Sequence, residues 1–180
     1  MAALVAVVVV GGIACGGDDN EESTGSTASS TTAAPTTTTT DPSAEVEAAY
    51  LGYWDAYLKA VTEPVNPELP ELQQRVTGAQ RTIVTRNLQQ LQTRGEAVRL
   101  RQPSRYRHVV RTIERSNGSA SVEACVYDDL ITYDVGTGVN VDDSVAWKEV
   151  HAELVQQQGI WLISYLEIAR ATGGGSCATT

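Results

Sequence analysis

The sequence predicts an α+β domain: helices in the first half of the folded part, an antiparallel sheet in the second. Two stretches carry that prediction. Residues 145 to 169 read as two long strands joined at Gln158-Gly159, with Val150, Ala152 and Leu154 alternating against Glu149, His151 and Glu153. Residues 46 to 61 instead place Val46, Tyr50, Tyr53, Trp54, Tyr57, Leu58 and Val61 at helical spacing. A third observation sets the boundary, because the residues before Ser43 have neither periodicity.

Composition narrows the class further. The chain has 180 residues, 42% apolar and 19% charged, which suits one domain plus an appendage. Its net charge is −9. Residues 1 to 43 hold Asp18, Asp19, Glu21, Glu22 and Asp41 without a Lys or Arg, and the remainder is still acidic, so nucleic acid is a poor partner. Arginine is concentrated between residues 75 and 115, where a solvated face is expected rather than a dedicated anion patch. Phe is absent, so seven Tyr and three Trp supply the aromatic core, each with a polar atom to satisfy.

The front end reads as an address. Residues 2 to 14 are apolar throughout but too few to span a bilayer core, which needs about 20 residues in a helix. They have the length of a signal-peptide core and end in small residues before Cys15. Gly12-Ile13-Ala14-Cys15 resembles the lipobox of bacterial lipoproteins, which implies acylation of Cys15 and a membrane partner through that lipid; secretion or an uncleaved anchor are the alternatives. Residues 16 to 43, rich in Ser and Thr, have too little apolar surface to offset ordering and are expected to act as a mobile spacer. The domain is expected over residues 44 to 180.

Within it, Asp41-Pro42 offers a cap and a first-turn proline for helix one, and Pro64 a stop. Asn66-Pro67 repeats the signal for a short helix with Leu69, Leu72 and Val76 on one face, ended by Gly78. Helix three follows, with Ile83, Val84, Asn87, Leu88 and Leu91 on its apolar side and Gly95 as its stop. Residues 97 to 102 suggest an edge strand. Residues 106 to 115 suggest another, with Arg105, Arg107, Arg111 and Arg115 on one face. Asn117-Gly118 is a hairpin turn, and residues 120 to 128 return with Val122, Ala124 and Val126 inward. Residues 131 to 141 form an irregular excursion before the closing hairpin.

Three cysteines in an exported chain divide into one lipid-bearing residue, Cys15, and one pair, Cys125 and Cys177, whose disulfide would pin the tail across the sheet. The other reading, Cys125 as a nucleophile, lacks a basic neighbour in sequence. His108 and His151 have no metal-ligand spacing, and Asp128-Asp129, Asp134 and Asp142-Asp143 are expected to serve turns rather than calcium, so no metal and no cofactor are expected. No nucleophile elbow or dinucleotide loop is present.

The order of elements, with Tyr50-x-x-Tyr53-Trp54-x-x-Tyr57 in the first helix and Gly159-Ile160-Trp161-x-Ile163 in the last hairpin, resembles the nuclear transport factor 2-like superfamily. Val122-x-x-Cys125-x-x-Asp128, Thr137-Gly138 and Cys177 resemble more narrowly the small tethered actinobacterial lipoproteins within it. The resemblance implies a cystatin-like cone, three N-terminal helices on a curved antiparallel sheet, with a cavity between sheet and first helix. It makes Tyr50, Trp54, Tyr57, Tyr127 and Asp128 the candidate pocket residues. No catalytic residue is assigned. The expectation is therefore a lipid-anchored module outside the cytoplasm that binds a small apolar ligand or an envelope protein, with a homodimer through the sheet face as one further arrangement. The alternative is a pocket enzyme of ketosteroid isomerase or dehydratase type.

Overall fold

Asp41 starts the first helix as the sequence predicts: its carboxylate accepts a hydrogen bond from the Ser43 N–H at 2.9 Å, and α1 runs Pro42–Val61. The computed structural model describes residues 41–170 and Cys177. The expected signal peptide, Cys15 and the spacer up to residue 40 lie outside the described residues. In α1 the predicted stripe packs inward, with Val46, Tyr50, Tyr53, Trp54 and Val61 buried together with Ala56 and Ala60.

The next segment differs from expectation. Asn66 does not cap a helix but accepts from the Glu68 N–H in a local turn, and α2 is the single turn Pro70–Gln73. Pro70 disfavours helical geometry at Leu69, so the helix begins at the proline and not before it. Gly78 likewise does not end α2; it opens α3, Gly78–Arg94, behind Thr77. In between, Arg75 accepts from the Ile163 N–H and the Thr77 N–H donates to Ile163, both at 2.9 Å. Pairing with a strand edge there satisfies backbone groups that a longer helix would have used. α3 buries Gln80, Val84 and Leu88 and leaves Ile83 at the surface, and Gly95 closes it in the left-handed conformation, φ 69°.

Among the described residues seven strands follow: β1 Glu96–Arg99, β2 Arg107–Ser116, β3 Ser119–Asp128, β4 Ile131–Asp134, β5 Asn140–Asp142, β6 Ala146–Gln157 and β7 Ile160–Arg170. The main sheet is an antiparallel meander in the order β2-β3-β6-β7, and β1-β4-β5 form a second, three-stranded sheet. The excursion between residues 131 and 141 is thus ordered, because β4 pairs with β1 along its whole length. The closing hairpin turns at Gln158 and Gly159, φ 51° and 82°, values that suit a two-residue turn between twisted strands.

Register decides which side chains face α1. Val122, Ala124 and Val126 of β3 and Val150, Ala152 and Leu154 of β6 are buried in one core with Tyr50, Tyr53 and Leu88. Each such side chain contributes roughly 1.5–3 kcal/mol by leaving water when it is as large as Val or Leu. The predicted single arginine face on β2 does not form. A bulge between Val110 and Thr112 inserts Arg111 as an extra residue, which inverts the alternation beyond it. Arg107 therefore stacks over Tyr127 and Trp147 on the outer face, whereas Arg115 stacks over Trp161. A second irregularity near Glu153 and Leu154 adds to the curvature of the sheet.

Cys125 projects to the outer face and is joined to Cys177, so the disulfide reading holds and the nucleophile reading does not. Among the described residues no helix is long and apolar enough to cross a membrane.

Candidate functional site

Three α1 side chains, Tyr53, Trp54 and Tyr57, share one helical face because Tyr57 lies three and four residues beyond the other two, spacings that are close in angle. They form one wall of a cavity of about 390 Å³. α3 contributes Gln80, Ile83, Val84 and Asn87, the main sheet Val126, Asp128, Lys148, Val150, Leu166 and Ile168, and the second sheet Val98, Thr132 and Asp142. Tyr106 and Leu130 close gaps between the sheets. The rings pack against one another: Tyr53 and Tyr57 are stacked with centroids 6.1 Å apart, and Trp54 meets Tyr57 edge-on at 5.7 Å.

Behind this wall lies a histidine clamp. The Tyr50 hydroxyl is 2.9 Å from His108 Nδ1, the Tyr106 hydroxyl is 2.8 Å from Nε2, and the Trp54 ring lies 4.7 Å from the imidazole. A neutral imidazole has one N–H and one lone pair, so one tyrosine accepts and the other donates. Burial pushes the His108 pKa down to about 4, against a smaller upward pull from the Asp128 charge. Burial also raises the pKa of Tyr50, Tyr53, Tyr57 and Tyr106, so all four phenols stay neutral. The clamp is uncharged at neutral pH, and both His108 nitrogens and the Tyr50 and Tyr106 hydroxyls already have partners.

Of the two carboxylates on the cavity wall, Asp128 and Asp142, the first is also engaged. Asp128 accepts from the Lys148 ammonium through Oδ2 and from the Leu130 N–H through Oδ1, the latter at 3.0 Å. No hydrogen bond joins Asp128 to a tyrosine hydroxyl among the described residues. The arrangement offers apolar and polar surface in about equal share, and holds Asp128 and His108 in internal contacts.

Of the five candidate residues, Trp54, Tyr57 and Asp128 line the cavity. Tyr50 is fully buried one turn behind them and acts through His108. Tyr127 is on the opposite side of the sheet, 5.2 Å from Trp147, because neighbours in a strand point to opposite faces and Asp128 takes the inward position. Sequence reasoning missed Lys148, although it falls in phase with Val150, Ala152 and Leu154 and so had to face inward. It also missed the His108 clamp, whose partners are 58 and two residues away and carry no common pattern.

The remaining aspartates serve loops. Buried Asp129 accepts from the Ser104 hydroxyl at 2.9 Å and the Arg105 N–H at 2.6 Å; Asp134 accepts from the Thr137 N–H and Asp142 from the Ser144 N–H. Among the described residues no three His, Cys, Asp or Glu side chains converge as metal ligands.

On the outer face His151 meets Glu123 through Nδ1, with Glu153 at 3.8 Å from Nε2. The hydrogen bond that the His151 ring donates to the Glu123 carboxylate raises the His151 pKa above the usual histidine value. The stabilisation from this pair is therefore present at low pH and lost as pH rises through the folded-state pKa. Glu123→Gln should lower that pKa in an NMR titration; an unchanged midpoint would assign the shift to another group.

No protein-family profile matches the chain, and no curated protein matches it in sequence. Solved structures do resemble it. The intermembrane-space region of the chloroplast protein ARC6 superposes with a TM-score of 0.59 at 15% identity, covering 73% of this chain and 98% of that one. A protein of the NTF2-like family from Streptomyces avermitilis gives 0.48 at 12% identity over 73% and 99% of the two chains. A cystatin-like protein from Caulobacter vibrioides gives 0.44 at 16% identity over 72% and 89%. The likeness is one of fold: helices packed on a curved antiparallel sheet.

Proposed function

From a domain with the nuclear transport factor 2-like fold, we propose a non-catalytic binding module that takes a small, largely apolar ligand between α1 and the sheet. The cavity carries this reading. Its volume of about 390 Å³ lies within the usual range for small-molecule sites, and its walls are mostly aromatic and aliphatic. Turnover by general acid–base chemistry needs a group free to exchange a proton with substrate. Here Asp128 is paired with Lys148, and His108 is closed between two hydroxyls.

Extraction of the natively purified protein with organic solvent, followed by mass spectrometry, tests the proposal by naming the ligand. Ile83→Trp tests its place. Ile83 is 38% exposed at the cavity edge, so an indole there can fill the entrance without disturbing the core. Affinity for the extracted ligand should fall about tenfold or more. An unchanged affinity, or an extract containing nothing but bulk membrane lipid, overturns the reading.

A pocket enzyme remains the second reading because Asp128 is a carboxylate on the cavity wall. Consumption of the extracted ligand by the wild type, abolished in Asp128→Asn, would establish it.

The same proposal places the module outside the cytoplasm, tethered through Cys15. The lipobox-like residues before Cys15 support it, as does a disulfide, which persists in oxidising compartments. Mass spectrometry of the mature N-terminus should find a lipid on Cys15, and an unmodified residue there ends the tether. A homodimer through the outer sheet face gains no support, because that face carries Glu123, Glu149, Glu153 and Glu167, and two copies would oppose like charges.

A further inference from the structure

A second cleft, of about 530 Å³, lies across α1 from the cavity. Gly52, Asp55, Ala56 and Lys59 border it, and helical spacing turns them away from Tyr53, Trp54 and Tyr57. Arg75 and Trp161 supply its other sides.

Arg75 is held in place at both ends. Its carbonyl accepts from the Ile163 N–H at 2.9 Å, and the adjoining Val76 forms a parallel bridge with the same strand residue. Its guanidinium lies against α1 where a side chain is missing. A Cβ added at Gly52 would collide with Nη1 and Cζ of Arg75. Glycine is among the poorest residues for a helix interior, so its presence in the middle of α1 is unexplained by the helix alone and explained by this contact.

The guanidinium so positioned makes no hydrogen bond and no ion pair among the described residues. Glu71, a carboxylate on the border of the same cleft, is taken by Lys59 at 2.7 Å, and Arg75 acts on it only through charge at longer range. Beside it stands Trp161, buried, with its Nε1–H also lacking a partner, and Ile160, 62% exposed.

We propose that this cleft binds a monocarboxylate with an apolar end, the carboxylate taken by the Arg75 fork and the apolar part laid against Trp161 and Ile160. A guanidinium presents paired donors that match a carboxylate. Asp55 and Glu71 at the border oppose a doubly charged phosphate. A free carboxylic acid and the C-terminus of a peptide share this chemistry. The site is separate from the cavity, so neither proposal depends on the other.

The test follows the Arg75 Nε–H and Trp161 Nε1–H signals of the intact protein by NMR during titration with N-acetyl-leucine, N-acetyl-leucinamide and an acetylated peptide ending in Leu. The acid should shift both signals saturably, and the amide should not. Arg75→Gln should weaken the acid about tenfold or more, as should Gly52→Ala, whose new methyl displaces the guanidinium. Gly52→Ala should melt no lower than the wild type, since alanine favours the helix, which separates lost binding from lost folding. Tighter binding of the peptide identifies a chain terminus as the ligand, and equal binding a free acid. Equal shifts with acid and amide, no shift at Arg75 up to about 50 mM acid, or unchanged affinity in both variants overturns the proposal.

Discussion

Between pH 6.5 and pH 4 the folded domain is expected to lose about 3 kcal/mol of stability through His108 alone. Burial lowers its folded-state pKa to about 4, while the unfolded chain titrates near the ordinary 6.5. In that window the unfolded state binds a proton that the folded state refuses. The contribution is complete above the unfolded pKa and disappears as pH falls towards the folded one. Urea unfolding of the wild type and of His108→Gln at both ends of the window isolates the effect, since carboxylates elsewhere act equally on both proteins. The variant should be weaker at pH 7, where it loses a contact between Tyr50 and Tyr106, and should have the flatter pH profile. Parallel profiles would show that His108 charges freely in the fold and that the clamp is open to water.

Removing the disulfide should cost about 4 kcal/mol, the chain-entropy value for a loop of 52 residues. Both sulfurs are buried, Cys125 at 1% exposure and Cys177 fully, so the bridge also covers outer-face surface beside β2 and β6. Cys177→Ala is the cleaner variant, because Cys125 remains as a small apolar residue inside the sheet. The midpoint of denaturant unfolding should fall, and dithiothreitol should lower the wild type to the same level while leaving the variant unmoved. A wild type indifferent to reductant would leave the tail with no stabilising role. Ligand binding in the cavity should survive both treatments in the folded state, since the bridge lies on the opposite face of the sheet.

These two expectations were unequally visible before the fold was known. The cysteine pair follows from number and compartment, so the sequence alone proposed it. The histidine clamp joins α1, the loop before β2 and β2 itself, and only the packed structure brings them together.

The sequence by itself determined the first and third helices, the hairpins and the inward sets of β3 and β6, because helical spacing, strand alternation, caps and turn residues are local and are written within a few positions. Asp41, Gly95, Asn117-Gly118 and Gln158-Gly159 act where they were read. Tertiary structure decided what local rules leave degenerate. One inserted residue at Arg111 reversed the arginine face, and pairing of Arg75 and Thr77 with Ile163 left α2 a single turn. In each case the deciding energy lies in contacts between segments distant in the chain. Strand register and bulges settle only when those segments meet, and the side chains that line a cavity are settled with them.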